Sequence, residues 1–271
     1  MKRDTRGAED DLEMQGRQGR WGTGEVVPMP LVADAHHGEG SASVARRPRV
    51  AGAEAARYGV LRRLAPALKH DMVVNLQAIS MMAEVMSARL ERGSSAPADF
   101  QSSISKLNRL ARDAVMNCLK VAAWIEPGED EGVRLARGIE DCLALLSTNF
   151  NFRGFSIVSE VPDTDFEVWR VTLRNLLMAS LLALTDAAPG PSEVRVKAEV
   201  QGGFAEISVR VTPRQDEFEA LPFGPSYRLL DWSDVQALAV AESVELVRGP
   251  DQIVMRMPRA VATAPLRIAP I

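Results

Sequence analysis

Histidine, cysteine and long apolar runs are scarce in this chain of 271 residues, and each shortage excludes something. With three histidines and two cysteines, no Cys/His pairs occur at ligand spacing, which argues against a metal centre. His36-His37 is the only close pair, and it lies in a Gly/Ser-rich stretch. Cys118 and Cys142 both fall on apolar faces of predicted helices, so they are expected as reduced, buried thiols rather than a disulfide. No apolar run reaches the roughly 18 residues that span a bilayer. Met1-Lys2-Arg3-Asp4 leads into charged, glycine-rich sequence, not into the core of a signal peptide. A large charge of one sign is also lacking: the net charge of −4 gives no reason to expect nucleic acid or anionic membrane as a partner. The expectation is a cytoplasmic protein without a membrane sensor of its own.

What is present fits a folded protein. Hydrophobic residues make up 46% and charged residues 25%, close to the average for soluble domains, with room for one or two of them. Residues 1–55 show no sustained period and are expected as a disordered tail. The exception is Val26-Val27-Pro28-Met29-Pro30-Leu31-Val32, whose prolines argue against helix; it reads as a linker or an extended docking peptide.

Helical order is expected from near Tyr58. Leu61, Ala65, Leu68, Met72, Asn75, Ile79, Met82 and Met86 alternate steps of four and three, the seam of a helical bundle with one polar interruption. Gly93 and Pro97 mark a turn, and Phe100, Ile104, Leu107, Ala111, Ala114, Cys118, Val121 and Ile125 form a second seam. Two long helices on a short loop make an antiparallel hairpin, here residues 56–127. One hairpin covers one stripe per helix, so residues 58–126 are expected to pair with a second copy in a dimeric four-helix bundle. Pro66 should kink the first helix or mark its true start.

Beyond Pro127-Gly128 the period changes. Helices over 133–150, 166–188 and 234–247 interleave with strands over 155–161, 193–200, 205–211 and 252–257, the middle pair turning at Gln201-Gly202-Gly203. The fold class is therefore α+β: the hairpin followed by a two-layer α/β sandwich over 128–258, with a loose tail at 259–271.

Within the first helix, His70 is the only histidine outside the two tails, and the heptad count turns it away from the seam. Asp71 follows it. An imidazole beside a carboxylate on the outside of a bundle is suited to carrying a phosphoryl group. Arg63, Ala67, Val74, Gln77, Met81 and Glu84 share its face, and Lys69 adds positive charge. Val74 and Met81 would be out of place on a face turned only to water, so the face is expected to meet a partner.

The segment Lys69-His70-Asp71-Met72-Val73-Val74-Asn75-Leu76-Gln77-Ala78-Ile79, followed by a helix-strand-helix-hairpin-helix-strand domain, resembles a two-component histidine kinase core over about residues 58–258. The resemblance implies that His70 accepts the phosphoryl group and that Asp71 orients its ring. It also gives Asn75 two readings, positioning of hydrolytic water or fixing of helix register, the second favoured.

The second domain resembles the ATP-binding domain in its frame only. Ala183 stands where the magnesium-binding asparagine would be, and alanine offers a hard cation no oxygen. Thr212-Pro213-Arg214-Gln215-Asp216 replaces the paired-glycine loop, and Leu229-Leu230-Asp231-Trp232-Ser233-Asp234-Val235 replaces the glycine-rich lid, leaving only Gly224 nearby. Trp169 and Trp232 are expected to plug the space between helix and sheet.

A frame that keeps its histidine and loses its nucleotide site resembles the histidine phosphotransferases that pass phosphoryl groups between response-regulator receiver domains. That resemblance implies no bound cofactor, no autokinase activity, and magnesium supplied by the receiver. The alternatives are a non-catalytic dimeric adaptor and a divergent kinase.

Overall fold

The computed structural model describes residues 25–27, 39–93, 97–125, 131–214, 224–225 and 227–261. A short strand β1 (Glu25–Val27) precedes a 53-residue helix α1 (Glu39–Glu91), and helix α2 (Pro97–Ile125) follows it. Helical order thus starts well before Tyr58, and part of the stretch expected as disordered is a strand and a helix. Pro66 does not interrupt α1, although it lacks the N–H that would bond the carbonyl four residues back.

The two helices run antiparallel. Leu68 and Asp71 of α1 share one cavity with Asn117, Lys120 and Trp124 of α2, while Val85 and Arg89 share a groove with Ser103 and Lys106. The second seam holds at Phe100, Leu107, Ala111, Ala114 and Val121 and departs from expectation along one flank. Ser103 and Ala114 are buried and Leu107 is half-buried, whereas Ile104, Cys118 and Ile125 face outward. Cys118 is therefore exposed, contrary to expectation, and Cys142 is buried.

After the hairpin come β2 (Gly132–Arg134), α3 (Leu135–Phe152), β3 (Ser156–Glu160), β4 (Glu167–Trp169), α4 (Arg170–Ala187), β5 (Ser192–Gln201) and β6 (Phe204–Pro213). Helix α5 (Trp232–Glu242), β7 (Glu245–Arg248) and β8 (Gln252–Pro258) complete the order. The main sheet has the order β1-β7-β8-β6-β5-β3; β3 and β5 are parallel and the other neighbours antiparallel. Strands β2 and β4 form a separate ribbon.

Alternation in β5 shows why the sandwich has two layers. Ser192, Val194, Val196 and Ala198 are buried, while Glu193, Arg195, Lys197 and Glu199 lie on the other face. One face packs on the helices and the other is left to charge. Helix α4 lies in the middle of the core, and its Leu176, Leu177, Met178, Leu181 and Leu182 are all buried.

Three boundaries differ from expectation for local reasons. The helix expected from 166 begins at Arg170, because Glu167–Trp169 pairs with Gly132–Arg134. The helix expected over 234–247 ends at Glu242, where Ser243 adopts a left-handed conformation (φ 54°) and the chain returns as β7. Its start is set two residues earlier by a capping box: Asp231 accepts from the N–H groups of Ser233 and Asp234, and the Asp234 carboxylate accepts from the Asp231 N–H.

The first half of α1 belongs to the second domain's core. Ala53, Ala56, Val60 and Leu64 are buried, so α1 covers the helix layer on the side away from the sheet. Small residues permit the approach: a Cβ added at Gly52 would lie 3.5 Å from that of Ala237 on α5.

Candidate functional site

His70 sits where α1 leaves the second domain and enters the hairpin. Its ring is exposed, and among the described residues it makes no hydrogen bond or ion pair. Asp71 and Lys69 are exposed on either side of it. Val74 (45% exposed), Gln77, Met81 (62% exposed) and Glu84 continue the same face towards the hairpin tip, and Ala67 precedes it half-buried. The Glu84 carboxylate accepts from Ser80 at 3.4 Å. Among the described residues, the side chains of His70, Asp71, Val74, Gln77 and Met81 make no hydrogen bond or ion pair.

Arg63 is the exception. Expected on the outward face, its side chain is 2% exposed and turned into the second domain, where it donates to both carboxylate oxygens of Asp186 at 2.5 and 2.8 Å. Asp186, also 2% exposed, lies 3.2 Å from Arg153 and accepts from the Leu230 N–H at 3.1 Å. Arg63 is therefore a tie between α1 and α4, not a partner contact. Asp186 is an internal acceptor for two arginines and a backbone N–H.

Arg153 donates to the Thr185 carbonyl at 2.8 Å, and its guanidinium lies 4.9 Å from the centre of the Phe155 ring. Burial lowers its pKa, with Asp186 opposing that effect. Further ties repeat the pattern: Arg57 reaches Glu242 at 2.7 Å, and Arg228 pairs with Asp234 while its guanidinium also meets the Ala55 carbonyl. Tyr58 and Tyr227 meet edge to face at 5.8 Å.

Asn75 is half-buried, and its amide donates to the Asp71 carbonyl at 2.9 Å, one turn back. The same side chain therefore touches the backbone of the residue next to His70.

Beside His70 a cavity of about 400 Å³ opens between α1 and α3, with Ala67, His70 and Asp71 on one wall and Thr148, Asn149 and Phe152 on the other. Phe152 is 63% exposed at its rim. These α3 residues were not among those expected near the site. A signal existed: Phe150 and Phe152 are two apart on a helix and cannot both face the core.

Of the residues that the resemblance sets at a nucleotide site, Ala183 is buried in the core, and Leu230 is buried with its N–H bonded to Asp186. Trp169 is the half-buried N-cap of α4, and Trp232 is half-buried at the start of α5 with Arg248 over its ring at 5.5 Å. Much of the cover comes instead from the first half of α1. Gln215 and Asp216 lie outside the described residues. Among the described residues no cluster of three or more His, Cys, Asp or Glu could hold a metal, and no helix is long and apolar enough to cross a membrane.

Solved structures similar to this chain are those of histidine kinases and a phosphotransferase. The catalytic domain of histidine kinase ThkA matches at 14% identity over 49% of this chain and 98% of that one, with a TM-score of 0.36. ThkA in complex with the response regulator TrrA matches at 15% over 83% of this chain and 68% of that one, TM-score 0.38. A bacterial phosphotransferase matches at 17% over 72% and 93%, TM-score 0.33. At these scores the likeness carries no argument about activity. No protein-family model matches the chain, and no curated protein matches it.

Proposed function

We propose that this chain is a histidine phosphotransferase of two-component relays, with His70 as acceptor and donor. The observation that carries the reading is the exposed, unbonded ring of His70 beside Asp71 on a face that includes Val74 and Met81. A ring nitrogen of His70 attacks the phosphorus of a receiver's aspartyl phosphate; the N–P bond forms as the bond to the carboxylate oxygen breaks. In the complex with the receiver Asp71 turns to accept the proton of the other ring nitrogen, a contact that the free chain does not make. The receiver brings the magnesium that screens the phosphoryl oxygens. Lys69 adds charge of the same sign at the rim, and Gln77 and Glu84 give the partner polar contacts around the apolar pair.

A nucleotide has no part in this chemistry. The reading is supported by Ala183 at the position that would hold magnesium and by α1 lying over the helix layer. A second copy completes the hairpin: Leu76 and Leu90 on α1, and Val115 and Ile125 on α2, are exposed apolar residues that a four-helix bundle would cover.

The test is incubation with a phosphorylated receiver domain. Label appears on this chain and is absent from His70→Ala; sedimentation gives twice the chain mass. Unlabelled wild-type chain under conditions where the receiver binds would refute the transfer reading. Binding that survives His70→Ala and fails in Val74→Glu or Met81→Glu would then favour the adaptor reading, to which the exposed apolar pair also points.

A further inference from the structure

We infer that the junction between the hairpin and the second domain contains a binding site for a small organic anion. A second cavity, of about 300 Å³, opens there between α1, α2, α3 and α4. That is the small end of the range for ligand sites. It lies on the other flank of Asp71 from the cavity beside His70, and His70 does not line it.

Charge defines its chemistry. Lys120 from α2 and Arg170 and Arg174 from α4 converge on the cavity. Lys120 and Arg170 are exposed, and neither forms an ion pair among the described residues. The Arg174 guanidinium lies 4.1 Å from the centre of the Trp124 ring. Of the two carboxylates on the lining, Asp141 is bound to Arg137 at 3.0 Å, which leaves Asp71 opposite the charges of Lys120 and Arg170. In a chain of net charge −4 this is a local excess of the opposite sign. The start of α4 at Arg170, whose N-cap side chain makes no capping bond, adds the positive end of a helix dipole.

Shape sets the rest of the ligand. Leucines at 68, 145 and 173 make an apolar wall, with Trp124 beside it. A carboxylate or phosphate ester would meet Lys120 and Arg170, while a compact apolar body lies against the leucines. Because the four walls come from both parts of the chain, the occupant bridges hairpin to second domain next to Asp71. The site requires nothing of the chemistry at His70, and its test uses no phosphoryl donor, so the two readings fail separately.

The full chain is titrated with 8-anilinonaphthalene-1-sulfonate, an aromatic anion whose fluorescence reports transfer out of water. Benzoate and adenosine monophosphate then compete, separating carboxylate from phosphate-ester sources. Saturable binding is expected, displaced by at least one competitor. It should be weaker by about tenfold or more in the double variant Lys120→Glu, Arg170→Glu, which removes two charged contacts. Lys106→Glu, a single charge reversal of the same kind about 20 Å away on α2, should bind as wild type does. Thermal melts check that the exposed replacements leave the fold intact; if the double variant does not fold, Lys120→Gln decides by the same comparison. Equal affinity in the charge-changed variant, or failure of both competitors, overturns the site, because the dye then reports only the apolar stripes of the hairpin.

Discussion

Asp186→Ala should be among the most damaging single substitutions in the chain. The carboxylate it removes accepts from Arg63 at 2.5 and 2.8 Å and from the Leu230 N–H at 3.1 Å, and lies 3.2 Å from Arg153. Arg63 and Arg153 have side chains 2% and 9% exposed, so water cannot replace what they lose. Two buried cations would then lie close together with the shared carboxylate gone. Removing one side of such a pair costs about 3–5 kcal/mol, a large share of the ~5–15 kcal/mol that holds a typical domain together. Arg63→Met should cost less, about 1–3 kcal/mol, because Asp186 keeps Arg153 and the backbone donor, and the methionine refills part of the volume. The order of the two effects tests the reasoning better than either size. Urea denaturation followed by circular dichroism measures both, read from the midpoint at constant slope. A loss below about 1 kcal/mol for Asp186→Ala, or a larger loss for Arg63→Met, would refute the account of α1 docking.

Two further outcomes follow from the core. In Gly138→Ala the new Cβ would meet Leu173 Cδ2 at 2.5 Å and Val133 Cγ1 at 3.0 Å, so these buried side chains must shift; overpacking of this kind costs about 1–3 kcal/mol, and an unchanged melting temperature would contradict it. Burial pushes the Cys142 thiol up to about 12 from its ordinary 9.0. The folded state therefore holds that proton more tightly than the unfolded state, so the contribution is complete below pH 9 and fades as pH rises towards 12. Urea midpoints at pH 8 and pH 10 should differ in that direction for wild type and not for Cys142→Ala, while a thiol reagent at pH 8 should spare Cys142 until the chain unfolds.

Local pattern determined much by itself. Steps of three and four placed the two hairpin helices, and strict alternation placed β5 and β6 within a residue or two of their ends. The same count turned His70, Val74, Gln77 and Met81 outward, because a helix face depends only on spacing within about ten residues. Missing oxygens and glycines at Ala183 and Thr212-Pro213 were legible as identities, without coordinates.

Tertiary structure decided the rest. Arg63 shares the helical spacing of the His70 face, yet α1 is straddled by two environments, and at that level the neighbour is Asp186 rather than solvent. No count along the chain can place two residues 123 positions apart in contact. For the same reason the start of α1 was missed. Arg- and Ala-rich sequence before Tyr58 has no bundle seam, and its small residues bury only because α5 lies against them. Ser103 is buried and Cys118 exposed because within one chain this length of α2 packs on α1 alone, whereas the count took in the further helices of a bundle. Whether a side chain meets water, a carboxylate or another helix is a property of what folds beside it, and spacing along one helix carries no term for that.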